Sequence, residues 1–120
     1  MGDRVLMQIV SATENGPAVY CHGRGHDAPA IVKRFAARMK DRRGDVPYLT
    51  ARLLQEAMGD DTRDTGFGVF NADKRLTSDD THGDAGIVLI DADTFRCECV
   101  GGYLKADASG MPICPRDDES

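Results

Sequence analysis

The chain has 120 residues, with 15 basic and 20 acidic side chains and a formal net charge of -5. This length fits one domain and excludes two large ones, and a hydrophobic fraction of 41% excludes a disordered chain. No apolar run reaches the roughly 18 residues that a transmembrane helix needs. The first ten residues include Asp3 and no long apolar region, so we expect no secretory signal.

The first two predicted elements are strands that form a hairpin. Residues 4–10 make an apolar, strand-like run, and residues 18–22 make a second one. Between them Asn15 and Gly16 favour the positive φ angles of a tight turn.

Two amphipathic helices are predicted next, over residues 28–42 and 46–58. In both segments apolar residues recur at helical spacing. Gly44 ends the first helix, Asp45 can cap the second, and Gly59 can end it. Because the loop between the helices is short, we expect them to be neighbours in space.

Three further strands are predicted over residues 66–70, 87–90 and 95–100. The second of these is continuously apolar, which is typical of a central strand buried on both faces. From residue 106 to residue 120 the composition is polar and lacks periodicity. We therefore predict one domain over 1–105 and a loosely ordered C-terminal tail over 106–120.

The predicted order β-β-α-α-β-β-β indicates an α+β domain. We expect a mostly antiparallel sheet with both helices packed on one face. The opposite face is then either solvated or a binding surface. An exposed edge of such a sheet would make a homodimer reasonable.

Charge is unevenly distributed, at +3 over residues 1–58 and -8 over residues 59–120. The basic residues of the first helix lack interleaved aromatic residues and the chain is acidic overall, so we expect a solvated helix face and no direct binding of nucleic acid. A nucleic-acid binder would instead use the arginines of this segment. These are Arg34, Arg38, Arg42 and Arg43.

The cysteines and histidines raise the question of a metal or catalytic site. The candidate ligands are Cys21, His22, His26, Cys97 and Cys99. Only one residue separates the last two cysteines, and adjacent strand residues point to opposite faces, so the pattern does not fit zinc. No motif positions Cys21 beside His22, His26 or His82 as a base. We therefore expect no metal, no cofactor and no enzymatic activity, with the cysteines buried and reduced in a bacterial cytoplasm.

A turn between the second strand and the first helix is the alternative site, for a small ligand, an anion or a substrate. A glycine loop that leads into a helix N-terminus can bind an anion. No complete phosphate-binding motif is present, so a plain turn is the competing interpretation. The residues of this site would be Tyr20, His22, Arg24 and His26.

The acidic loops between residues 60 and 84 are the favoured site. They lack the glycine and carboxylate spacing of a calcium loop. Their charge suits a basic surface on another protein, although loops kept soluble by charge remain the simpler interpretation. The predicted partner contacts are Asp60, Asp61, Asp64, Asp79, Asp80 and Asp84.

Three short motifs resemble small proteins of bacteriophages and other mobile elements. They are the start Met1-Gly2-Asp3-Arg4, the strand Val19-Tyr20-Cys21-His22 before a glycine loop, and Thr65-Gly66-Phe67-Gly68-Val69. Gly23 stands where that group has Trp, and Val5 where it has Ala. Anti-CRISPR proteins are similar in being short, acidic and without catalytic motifs. The resemblance implies an accessory protein that inhibits a host defence complex in the bacterial cytoplasm by stoichiometric binding.

Overall fold

In the computed structural model, which describes residues 3–61, 66–81 and 83–115, a five-stranded sheet carries two helices on one face. The strands of this sheet are β1 (Val5–Val10), β2 (Asn15–Cys21), β3 (Phe67–Phe70), β4 (Gly86–Asp91) and β5 (Cys97–Val100). The helices are α1 (Ala28–Met39) and α2 (Val46–Met58). A small separate hairpin consists of β6 (Lys105–Ala106) and β7 (Pro112–Ile113). None of the helices within the described ranges has the length and apolar character needed to cross a membrane.

The sheet has the strand order β3-β2-β1-β4-β5. Its central pair, β1 and β4, is parallel, whereas the other three pairs are antiparallel. The predicted α+β class and the order of elements are therefore confirmed, with a mixed sheet whose one parallel pair lies at the centre. That pair arises because the chain leaves β3 at one edge, crosses the sheet and enters β4 on the far side of β1.

The main core lies between the sheet and the helices. Alternate residues of a strand point to opposite faces, and β1 places Val5, Met7 and Ile9 against the helices. The apolar stripe of α1 contributes residues such as Phe35, and that of α2 contributes Leu53, both fully buried. Strand β4 is buried on both faces, as its continuous apolar run predicts.

The second face of the sheet is covered in part by the connection between β3 and β4, of which residues 71–81 and 83–85 are described. Leu76 of this crossing segment is buried in a smaller cluster with Leu6 and Leu89. The same segment is held by Gln8, a fully buried residue of β1. We expected this face of the sheet to be either solvated or a binding surface. The chain itself covers part of it.

The helix boundaries follow local signals. Helix α2 has the predicted bounds, and the Asp45 carboxylate caps it by accepting a hydrogen bond from the Tyr48 N–H at 3.2 Å. Helix α1 ends at Met39, three residues before the predicted end. The next residues turn, with the Arg42 N–H donating to the Met39 carbonyl at 2.8 Å.

The C-terminal region differs from the loose tail predicted for 106–120. Residues 105–113 form the β6–β7 hairpin, and Leu104 and Cys114 on either side of it are buried in the main core. The Cys97 N–H of β5 donates to the Gly110 carbonyl at 2.6 Å. The buried residues within 106–115 are Gly110, Pro112 and Cys114, and because glycine and proline are typical of turns, the sequence alone indicated a tail. Residues 116–120 lie outside the described ranges.

Candidate functional site

Residues from both predicted sites meet at one end of the sheet, where β1 and β4 begin and β2 ends. We call this surface the acidic end. It comprises Asp3, Arg4, Arg24, His26, Asp27, Asp60, Asp61, Asp84 and Tyr103. Residues of the favoured acidic site and of the alternative turn site thus belong to one connected network.

Asp3 links three parts of the chain at the acidic end. Its carboxylate accepts hydrogen bonds from the His26 backbone N–H at 3.0 Å, from His26 Nδ1 at 2.6 Å and from the Tyr103 hydroxyl. Its carbonyl also accepts from the Gly25 N–H at 2.8 Å. Burial raises the pKa of Asp3, but the hydrogen bonds from Tyr103 and His26 outweigh this and leave the pKa below its usual value.

Arg4 and Asp84 form a second link, next to the first. One carboxylate oxygen of Asp84 accepts from the Arg4 backbone N–H at 3.0 Å and from Arg4 Nε at 2.9 Å. The hydrogen bond from the Arg4 backbone, followed by that from its side chain, lowers the pKa of Asp84. The Tyr103 N–H donates to the Asp84 carbonyl at 3.1 Å, so the Arg4–Asp84 and Asp3–Tyr103 contacts are continuous.

Arg24 is held between two carboxylates. Its Nη2 lies 3.0 Å from Asp61 Oδ2, and its Nη1 lies 3.5 Å from Asp27 Oδ2. The Asp61 side chain is only 7% exposed, whereas that of Arg24 is 30% exposed, so the carboxylate of this pair is shielded from water and the guanidinium only in part. The guanidinium also lies over the ring of Phe67, 5.9 Å from its centroid. Arg24 is therefore a structural bridge between the turn, the end of α2 and the start of β3.

A cavity of about 340 Å³ opens beside Arg24, between α1 and the end of α2. Its charged lining residues are Arg24, Arg34, Asp27, Glu56, Asp60 and Asp61. Carboxylates outnumber guanidinium groups in this lining, which disfavours a bound anion.

The four residues predicted for a small-ligand site fall into separate groups. The Tyr20 hydroxyl lies 3.2 Å from His22 Nδ1, and His22 directly follows β2, so the alternation of side chains along the strand continues to it. Arg24 is held by Asp61 and Asp27, and His26 is held by Asp3. The described contacts do not bring the four side chains around one cavity.

The predicted acidic contacts are also divided. Asp60 and Asp61 follow α2, whereas Asp79 and Asp80 lie on the crossing segment. The carboxylate of Asp80 accepts from the Thr77 N–H at 2.8 Å and pairs with Lys74 Nζ at 2.9 Å, and these contacts lower its pKa. Asp60 and Asp79 are exposed. Asp64 lies outside the described ranges.

The arginines of the basic segment all have partners within the chain. Glu56, whose side chain is 9% exposed, pairs with Arg34 Nε at 3.2 Å and with Arg38 Nη1 at 2.7 Å. Arg42 lies over the Tyr48 ring, and Arg43 over the Phe95 ring, at 4.7 and 5.1 Å from the centroids. The segment is a helix face with internal ion pairs followed by two stacked arginines.

The cysteine side chains are free thiols, and three of them are buried. Burial raises the pKa of Cys21 and Cys97 to about 12 and that of Cys99 to about 11. A thiol that stays protonated is a weak nucleophile and a weak metal ligand. Within 3–61, 66–81 and 83–115, no three His, Cys, Asp or Glu side chains are grouped so that they could hold a metal ion. His82, considered above as a base, is not among the described residues.

Sequence analysis missed Tyr103 and the role of Asp3 at the acidic end. Tyr103 follows the pair Gly101-Gly102, and that pair is the one signal that could have drawn attention to it. A Cβ atom on Gly102 would lie 2.2 Å from the Ala85 carbonyl carbon, so close backbone packing here brings Tyr103 to Asp3. No protein-family model, curated protein or solved structure matches this chain.

Proposed function

We propose that the chain is a non-enzymatic binding protein that occupies a basic surface of a host defence complex. The observation that carries this proposal is the charge of the acidic end. Its carboxylates are those of Asp3, Asp27, Asp60, Asp61 and Asp84, and its guanidinium groups are those of Arg4 and Arg24. Both guanidinium groups are already paired with these carboxylates, so the surface keeps a net negative charge.

The network also fixes the carboxylates of Asp3, Asp61 and Asp84 before any partner arrives. Asp61 and Asp84 each hold an arginine, and Asp3 is held by Tyr103 and His26. Ordering side chains on binding costs roughly 0.5–1.5 kcal/mol for each flexible one, and a preorganised surface avoids part of that cost. Among the predicted contacts, we therefore assign direct contact to the exposed Asp60 and a positioning role to Asp61 and Asp84.

A CRISPR effector is the class of target that this charge suits. Such effectors hold their nucleic acids in a positively charged channel. An acidic protein bound there would compete with the nucleic acid one-to-one, without chemistry. The resemblance of the short motifs to bacteriophage and mobile-element proteins supports this target class.

The test begins with a tagged chain and lysates of a bacterium that carries CRISPR and other defence systems. A defence complex captured at near-stoichiometric yield is then assayed for binding to its nucleic acid with and without the purified chain. We expect loss of that activity at a one-to-one ratio. Capture without inhibition contradicts the proposal.

Charge variants then test the electrostatic basis of the interaction. We expect Asp60→Asn to weaken binding and to reduce its dependence on salt. Asp93→Asn is the matched control, since Asp93 is exposed in the turn after β4, at the opposite end of the sheet. If both variants bind like the unchanged chain, or if salt has no effect, the acidic end is not the contact surface.

The alternative hypotheses have less support. A small-ligand, anion-binding or enzymatic site at Tyr20, His22, Arg24 and His26 would need Arg24 to leave Asp27 and Asp61. A nucleic-acid interface on α1 would need Arg34 and Arg38 to leave Glu56. A gel-shift experiment at low salt tests the second case, and we expect no shift.

A further inference from the structure

Within the part of the chain that the structure describes, strand β3 presents an open edge. It pairs with β2 on one side and is the last strand of the sheet on the other. Its residues, Phe67 to Phe70, include no charged residue and no proline, which are the usual means of blocking an edge. At the opposite edge, by contrast, the Cys97 N–H of β5 is already bonded to the Gly110 carbonyl.

The hydrogen-bond register shows which peptide groups of β3 point outward. The His22 N–H donates to the Gly66 carbonyl at 2.7 Å, and the next pair in register is Cys21 with Phe67. In an antiparallel ladder the residues that bond to the partner strand alternate with residues that do not. The peptide groups of Phe67 and Val69 therefore face away from β2, where another strand could pair with them.

An apolar groove of about 360 Å³ runs beside this edge, between β2, β3 and α2. Its apolar lining includes Pro17, Pro47, Ala51, Leu54 and Val69. The Val69 side chain is 48% exposed, a high value for a large apolar residue. A strand added to β3 could place side chains on this groove.

Acidic residues stand at both ends of the edge and the groove. Glu14 lines the end near Phe70. At the other end Arg24 lies over Phe67 and is paired with Asp61 and Asp27, while Asp60 is exposed, so carboxylates outnumber guanidinium groups among the described residues there. Two copies of β3 paired antiparallel would bring the Asp60 end of one copy to the Glu14 end of the other. That like-charge contact disfavours a homodimer here and favours an occupant with positive charge at both ends.

We propose that β3 binds an extended segment of another protein by strand addition, and that this segment has alternating apolar residues flanked by Lys or Arg. Main-chain hydrogen bonds to Phe67 and Val69 supply affinity, and the groove and the flanking carboxylates select the sequence. This inference rests on the proposed function, since it names how a basic partner is held.

A synthetic peptide tests the inference directly. The probe is Val-Thr-Val-Thr-Val with two lysines on each side, acetylated and amidated, and the control probe carries glutamates in place of the lysines. We expect the lysine peptide to shift the amide NMR signals of Phe67 and Val69 and to slow their exchange with solvent. The glutamate peptide should bind at least about tenfold more weakly. Equal binding of the two peptides, or shifts elsewhere only, would overturn the proposal.

Two variants separate backbone pairing from side-chain packing. Val69→Pro removes an N–H that faces away from β2 and leaves the hydrogen bonds with β2 intact. The lysine peptide should bind this variant about tenfold more weakly. Val69→Ala keeps that N–H and should bind more tightly than the proline variant. If Val69→Pro does not fold, a peptide N-methylated at alternate residues provides the same test on the unchanged chain. Undiminished binding of that peptide contradicts strand addition.

The same variants distinguish failure of this inference from failure of the proposed function. If Val69→Pro still inhibits the defence complex while Asp60→Asn does not, the acidic end is the contact surface and strand addition is wrong. If the chain proves dimeric through β3 and the peptide cannot displace the second copy, the partner named here is wrong.

Discussion

Gln8 of β1 accepts a hydrogen bond from the Leu76 N–H at 2.9 Å, across 68 positions of the chain. The same buried amide donates to the carbonyls of Gly16 and Lys74, both at 2.9 Å. Each polar atom of its side chain is thus paired with backbone, and the crossing segment is fixed to the sheet. A polar residue at the centre of an apolar sheet is stable because its hydrogen bonds replace those with water.

Gln8→Leu should therefore destabilise the fold. The change leaves the Leu76 N–H and two carbonyls without their partner, and we expect the free energy of unfolding to fall by about 3 kcal/mol. Urea unfolding followed by circular dichroism measures this. Gln55→Leu is the control, because Gln55 is exposed on α2 and its side-chain oxygen accepts a hydrogen bond from Arg52 Nη1 at 2.9 Å, with no part in fixing the crossing segment. This control should change the free energy of unfolding by no more than about 0.5 kcal/mol. Similar losses in both variants would show that Gln8 does not fix the crossing segment.

Gly86→Ala should destabilise the fold strongly. Gly86 has a φ of +92°, and a Cβ atom there would lie 2.5 Å from the Val100 carbonyl oxygen. We expect the free energy of unfolding to fall by at least about 3 kcal/mol, because backbone strain and steric overlap act together. Gly83→Ala isolates the strain, since Gly83 has a φ of +87° and no atom of the described residues, its chain neighbours aside, lies within 4 Å of the added carbon. The free energy of unfolding of that variant should fall by roughly 1–2 kcal/mol. Equal losses in the two variants, measured by urea unfolding, would contradict a steric contribution at Gly86.

Asp3 should make stability depend on pH in the acid range. Its pKa in the folded chain lies below the usual 3.8, so its ionised form stabilises the fold. This contribution is fully present above pH 3.8 and is lost as the pH falls through the lower folded value. Asp3→Asn should therefore be less stable than the unchanged chain at neutral pH, and the difference should shrink on acidification. Unfolding experiments at a series of pH values measure this.

A carboxyl NMR titration tests the cause of that shift. Tyr103→Phe removes one of the hydrogen bonds to the Asp3 carboxylate and should raise the Asp3 pKa toward its ordinary value. Titrating Asp107 in the same sample is the control, because its pKa is lowered by Ser109 and other groups of its own loop. An unchanged Asp3 value in Tyr103→Phe would contradict the assigned contact.

The buried thiols should be unreactive in the native chain. Cys21 and Cys97 have pKa values of about 12, so almost no thiolate is present at pH 8. We expect an aromatic disulfide reagent to label Cys99 first, since it is only partly buried and has a pKa of about 11. Labelling of all the cysteines should become fast in urea. Fast native labelling of Cys21 would show that the turn at the end of β2 opens.

Sequence reasoning succeeded where structure is set by nearby residues. Helix α2 has its predicted bounds because Asp45 caps its first turn and Gly59 ends it. The burial of β4 on both faces follows from its continuous apolar run. These signals lie within a few residues of what they determine.

The sequence did not indicate the features that depend on residues far apart in the chain. The parallel pairing of β1 with β4 depends on the path of the crossing segment, which has little periodicity of its own. The hydrogen bond between Asp3 and Tyr103 joins residues 100 positions apart. Asp3 lies in the short N-terminal motif and Tyr103 follows two glycines, but neither signal indicates that the two residues meet, so the network that connects the two predicted sites had no local signature.

The parallel centre of the sheet also has a consequence for synthesis on the ribosome. Strand β2 follows β1 after a short turn, but the second neighbour of β1 does not emerge until residues 86–91 have been made. Until then β1, an apolar strand destined for the middle of the sheet, has one unpaired edge. Contacts of such long sequence separation also slow folding, so the nascent chain is most prone to aggregate or to recruit chaperones in the interval before β4 emerges.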